Sequence, residues 1–415
     1  MSSSHRSKRT LALVAAAALG ALIFSSHGVA TRAADAVPGV TDTSVLLGGL
    51  HPFSGPASAY GAISKGEAGY FDYVNAHGGV NGRKIVYKDL DDAYSPPQAL
   101  QLAKQLVEQD HVFAMFNTLG TPSNLAIRPY LNDNKVPQLF VATGATTWGR
   151  DAAKYPWTIG FQPDYQAEAA IFARYITAHT PTAKIAVLYQ NDDFGEDYVT
   201  GLQRGLGAKA NQIVKTASYE VSDADVRSQI AALKASGADA LLIAATPKFA
   251  TQALVAVGQL GWKVATYLTD VSASQTVMRA ATQAGGAGAT DGVVTAYYAL
   301  DPTSATFANS KGMKLYRDIV AKYMPGADPS NVFYAYGMAA AYTMTDALQK
   351  AGKALTRDKI MDVVTHLDER NNPFLLPGIV VQTSPTDRFP IRQQQLLRYT
   401  NGSWQPFGPI IDARK

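Results

Sequence analysis

The residues best suited to chemistry stand where short apolar runs end. After the run 44–50 come His51-Pro52-Phe53-Ser54-Gly55-Pro56 and then Tyr60. After a third run come Asn117-Thr118-Leu119-Gly120-Thr121-Pro122, and after a fourth Ala142-Thr143-Gly144-Ala145-Thr146-Thr147-Trp148. Two of these loops are rich in Thr and Gly, and all three are short of charge. Hydroxyls and unpaired backbone N–H groups at helix starts stabilise a negative group such as a carboxylate. Later run ends supply residues 191–194, then Thr246-Pro247, then Thr269-Asp270-Val271-Ser272. Any one of these hydroxyls also fits ordinary helix capping; it is their recurrence at run ends that points to binding. Tyr60 and Phe194 are placed to sandwich an apolar body.

Catalytic constellations are missing from the sequence. It has no G-x-x-x-x-G-K-[ST] loop, no G-x-G-x-x-G turn between strand and helix, no G-x-S-x-G elbow and no H-E-x-x-H. With no cysteine, a disulfide framework, a thiolate zinc site and a cysteine nucleophile are all excluded. His51, His77, His111, His179 and His366 show no ligand spacing and read as surface or capping residues. The acidic runs Asp89-Leu90-Asp91-Asp92 and residues 192–197 lack the alternate spacing of a calcium loop, so they read as turn formers and helix caps. No metal and no cofactor is expected.

The elements that position these loops alternate in type. Apolar runs at 44–50, 83–88, 112–116 and 136–141 are separated by helical stretches at 57–76, 97–109 and 122–132. The rhythm restarts near residue 160, with strands expected at 184–189, 213–219, 240–244 and 264–268. Nearly continuous apolar runs such as KIAVLY and ALLIAA suit strands buried on both faces of a parallel sheet. Ligands of such sheets bind beyond the carboxyl ends of the strands, where the loops above lie. Long helices follow at 307–323 and 333–351, then a shorter one at 357–367. A hairpin is expected at 394–407 about Asn401-Gly402.

Residues 1–33 read as a signal peptide, with basic Arg6, Lys8 and Arg9, an apolar stretch at 11–24, and cleavage between about 30 and 36. The formal charge of +4 resides there, since residues 1–33 hold four basic residues and no acid. A near-neutral mature chain offers no nucleic-acid footprint. Lipid attachment would need a cysteine, so a Gram-negative periplasm is expected rather than a lipoprotein.

Four segments carry a family resemblance: SGPASAYG at 54–61, NAHGGVNG at 75–82, KIAVLYQNDDFG at 184–195, and PKFATQALVAVGQLGW at 247–262. They resemble the type I periplasmic binding proteins of branched-chain amino acid transport, the leucine/isoleucine/valine-binding group. The resemblance spans essentially the whole mature chain. It implies an α/β fold of two Rossmann-like lobes joined by three crossings, with hinges near residues 158–162, 290–296 and 373–378. The N-terminal lobe would hold 37–160 plus 293–375, and the C-terminal lobe 161–292 plus 376–415. It also implies a carboxylate gripped by Thr118 or Thr121 and by the pair Ala145-Thr146, with aromatic contacts from Tyr60 and Phe194. Asp270 would stand where leucine-type receptors hold the α-ammonium, and Thr246 or Pro247 where they carry a second tyrosine. The implied role is a monomeric, non-enzymatic carrier delivering a small carboxylate, most naturally a branched-chain or related amino acid, to an ABC importer's permease. Departures at 246 and 270 keep aromatic or aliphatic carboxylates open. The alternatives are a non-transport amide or amino-acid sensor and, more remotely, a secreted hydrolase.

Overall fold

The computed structural model describes residues 37–413, so the expected signal peptide lies outside the described residues. Two parallel-rich sheets organise them. The first has five strands: β1 (Ser44–His51), β2 (Lys84–Asp91), β3 (Ala114–Phe116), β4 (Gln138–Val141) and β5 (Thr158–Gly160), in the order β2-β1-β3-β4-β5 and parallel throughout. The second holds β6 (Ile185–Gln190), β7 (Ile213–Tyr219), β8 (Ala240–Ala244), β9 (Ala265–Leu268) and β10 (Val294–Tyr297). A closing hairpin follows β11 (Asp368–Glu369) and β12 (Val381–Gln382), which pair only with each other; its strands are β13 (Gln393–Thr400) and β14 (Ser403–Asp412). The second sheet runs β14-β13-β10-β9-β8-β6-β7, antiparallel only within the hairpin and where the hairpin joins β10.

The central apolar runs fold as expected because they are buried on both faces, whereas the edge strands β2 and β7 are mostly half-buried or exposed. Ala240–Ala244 is buried at every residue, as is Gln138–Val141. Strand β5 was not anticipated. At three residues, TIG, it is too short to show a period. The hairpin turns at Asn401-Gly402, both with positive φ, which matches the twist of paired strands. No helix of the described residues is long and apolar enough to cross a membrane.

After β10 the chain leaves the second sheet, and the helices Lys311–Tyr323 and Val332–Ala351 pack on helix Gly61–Ala76 beside the first. The boundary expected at residue 293 is therefore set too early. Residues 294–297 pair with β9 and β13, so the crossing begins beyond Tyr297. Two crossing segments run antiparallel: the Leu300 amide donates to the Phe374 carbonyl and the Leu376 amide to the Tyr298 carbonyl, both at 2.8 Å. The remaining crossing, residues 161–164, links β5 to helix Tyr165–His179.

Candidate functional site

A cavity lies where the strand ends of the two sheets meet. About 530 Å³ of empty space, part of it open to solvent, lies between its walls. From the first sheet come Tyr60 after β1, Tyr94 after β2, Leu119 to Thr121 after β3, Ala142 and Thr143 after β4, and Gln162 after β5. The second sheet supplies Phe194 after β6, Thr246 after β8, Asp270 and Val271 after β9, and Tyr297 and Tyr298 at the end of β10. Tyr165, Phe333 and Tyr336 reach in from helices. Eight of the 18 lining residues are aromatic and none is basic.

Local sequence explains how the key groups are aimed. Helix Asp193–Leu206 starts at Asp192, whose carboxylate accepts from the amides of Phe194 and Gly195 at 3.1 and 3.3 Å. A Cβ at Gly195 would stand 2.0 Å from the Gln190 carbonyl oxygen, so the helix can start this close to β6 only with glycine there. Phe194 packs edge-on to Tyr165 and Tyr198. Tyr60 meets Phe333 edge-on at 5.3 Å. Thr121 opens helix Thr121–Asp133, and its hydroxyl pairs with that of Thr143 at 2.6 Å. Thr246 bonds the buried Tyr219 hydroxyl through its amide at 3.0 Å.

Asp270 is the one ionisable acid on the cavity wall. It is 3% exposed, and its carboxylate makes no hydrogen bond of good geometry, the Glu168 carboxyl, the Val271 amide and the Thr269 and Tyr198 hydroxyls being its near neighbours. Behind it sits Glu168, fully buried, which accepts from the Asp270 amide at 2.9 Å and from the Tyr198 hydroxyl at 2.8 Å. Burial, with no cation at hand, pushes Asp270 up to about 7, and burial beside Asp270 holds Glu168 well above the usual carboxylate range.

Of the residues singled out in the sequence, Tyr60, Thr121, Phe194, Thr246 and Asp270 line this cavity. Thr118 does not: its hydroxyl turns inward to Asn124 Oδ1 at 2.5 Å. Ala145 and Thr146 do not line it either. The chain turns away from the cavity at Ala142-Thr143, leaving Thr146 to donate through its amide to Asp197 and through its hydroxyl to Asp164. Thr143 is the threonine of that loop that lines the cavity. Tyr94, which follows β2, is a wall residue that the sequence does not single out, since the acids of its loop read as turn formers and caps. Phe333 and Tyr336 carry no local signal, since a helix distant in sequence delivers them.

His51 also needs correction, being neither surface nor cap. It is fully buried, with Nδ1 2.8 Å from Asp89 and Nε2 3.9 Å from Glu67. Burial lowers its pKa, but the two carboxylates outweigh that and lift it to about 9, while burial raises Glu67 to about 8. One atom from each of these three residues falls within 4.8 Å of the others. The carboxylates face opposite ring nitrogens, however, which suits an imidazolium ion-paired on both sides better than ligands converging on one ion.

Two parallel-rich sheets with strand-end loops meeting over a shared cavity define a two-lobed solute-binding protein. A family model described as periplasmic binding protein matches residues 44–403, and the chain belongs to that family. It is 26% identical over 197 residues to a Leu/Ile/Val-binding protein homolog 3 of Brucella melitensis, an alignment covering 47% of this chain and 52% of that protein. The chain thus spans about half the length of the curated relatives it matches. Among solved structures, a branched-chain amino acid ABC transporter protein of Thermus thermophilus with bound valine superposes with a TM-score of 0.79 at 16% identity, covering 90% of this chain and 97% of that one. A solute-binding protein of R. palustris in complex with benzoate gives 0.73 at 17% identity, covering 89% and 98%. At these identities the likeness is one of fold: the type I periplasmic binding protein.

Proposed function

We propose that this chain is the exported, non-enzymatic solute-binding component of an ABC importer, and that its ligand is a small α-amino acid held between the lobes by hinge closure. The observation that carries this reading is Asp270. A buried carboxylate with no cation beside it, on a wall without Lys or Arg, calls for an ammonium group from the ligand. Across the cavity, the Thr121 and Thr143 hydroxyls and the start of helix Thr121–Asp133 suit the ligand's carboxylate. The aromatic walls suit an apolar side chain. The valine bound in the Thermus thermophilus protein agrees with this.

Crossings at 161–164, 298–300 and 374–376 would serve as the hinge, with 37–160 and 301–373 in one lobe and the remainder in the other. A Gram-negative periplasm, a permease partner and a monomeric state belong to the same reading. A second reading, an aromatic or aliphatic carboxylate ligand, draws on the aromatic walls and on a neutral Asp270, and the benzoate of the R. palustris neighbour fits it. Calorimetric titration with L-valine, L-leucine, L-phenylalanine and benzoate separates the two. The first expects amino acids to bind and benzoate to fail; benzoate binding with no amino acid bound overturns it.

A further inference from the structure

The loop after β2 places Tyr94 on the cavity wall in an unusual conformation. Ala93 and Tyr94 have φ of 50° and 60°, back-to-back left-handed residues without a glycine. Such backbone is costly for L-residues and persists where the surroundings over-determine it. Here two acids do so: Asp91 accepts from the Ala93 amide at 2.9 Å and Asp92 from the Tyr94 amide at 3.0 Å. Asp91 also accepts from the amides of Phe53 and Ser54, tying this loop to the one that leads to Tyr60.

What this conformation achieves is the aim of one ring. A Cβ at Gly120 would stand 2.5 Å from the Tyr94 ring, so the ring lies directly over the glycine that precedes helix Thr121–Asp133. Its hydroxyl accepts across the cleft from Gln190 Nε2 at 3.5 Å, and Gln190 is itself held by the Tyr219 hydroxyl and by Asp192. Strand β2 is the edge of the first sheet farthest from the crossing at β5, and β6 stands three places from β10 in the second. Tyr94 and Gln190 therefore meet on the side of the cleft away from the crossings, where the mouth must be.

We infer that Tyr94 is the gate of this cavity: its ring sets the size of ligand admitted, and its hydroxyl ties the lobes together at the mouth. This rests on the proposed solute-binding role. The test uses the full mature chain with L-valine, L-phenylalanine and benzoate as calorimetric probes. Glycine accepts the left-handed φ, which offsets part of the loss of a buried ring, so Tyr94→Gly should fold with a lowered melting temperature; Tyr94→Asn, which also tolerates that region, is the second variant. Either should shift the affinity ratio at least tenfold toward L-phenylalanine over L-valine. A folded variant with the parent's ratio overturns the sizing role. Tyr94→Phe should weaken every probe by a similar factor and lengthen the inter-lobe distance. Spin labels at Ala59→Cys and Glu196→Cys, both exposed in a chain with no native cysteine, read that distance. An unchanged distance overturns the tie. A parent protein that binds no probe defeats the solute reading by itself, and the label distances, which need no ligand, then decide the gate.

Discussion

A buried carboxylate on a wall without a basic residue is the most informative group in this molecule. Asp270 ionises near pH 7 because burial opposes its charge, so a ligand's ammonium, by favouring the ionised form, must displace a proton below that pH. Amino-acid affinity is then expected to rise as pH rises through about 7, losing up to tenfold per unit below it. A simple carboxylate ligand should show the reverse, since it prefers the neutral acid. Titration calorimetry at pH 6 and pH 8 reads the sign directly. Asp270→Asn should weaken amino-acid binding by about thirtyfold or more, the equivalent of about 2 kcal/mol for a buried charge pair losing one partner. The same change should raise the melting temperature of the free protein at pH 8, because it removes a buried charge. The His51 cluster makes a separate demand. With its folded pKa raised, His51 contributes stability that is present below pH 6.5 and lost as pH rises through about 9, and Glu67, raised to about 8, acts in the same direction. Urea midpoints should therefore fall between pH 6.5 and 9, and His51→Gln should flatten that fall.

At the scale of elements, the strands were legible and the loops only partly so. Runs such as KIAVLY advertise burial on both faces, whereas Thr158–Gly160 is too short to show any pattern. The loop after β4 offers Thr143, Thr146 and Thr147 within five residues, and composition alone does not say which one faces the cleft. A turn at Ala142-Thr143 decides it. The Phe194-Gly195 pair could be read because the glycine has a structural cause. Gly195→Ala would press a methyl against the Gln190 carbonyl and force the start of helix Asp193–Leu206 outward. A net loss of about 1–3 kcal/mol is expected, as for other overpacked sites, partly offset by alanine's better helix propensity. A lower urea midpoint with an unchanged slope checks this, and a midpoint equal to the parent's contradicts it.

On the scale of the whole molecule, the cavity wall is split between two sheets, with Thr121 and Thr143 on one side and Phe194, Thr246 and Asp270 on the other. A ligand that satisfies both sides can do so only when they are close, so its binding energy is available only to the closed arrangement. Two measurements should then move together. At about 100 times its dissociation constant the ligand should add roughly 2.7 kcal/mol of stability, and the scattering radius of the protein should shrink over the same titration. The paired crossings, with Leu300 bonded to Phe374 and Leu376 to Tyr298, give the motion an axis that survives closure, because those bonds run along the hinge and not across the cleft. A ligand that raised the melting temperature without compacting the protein would be sitting on one lobe alone, and the division of labour between Thr121 and Asp270 would have to be abandoned.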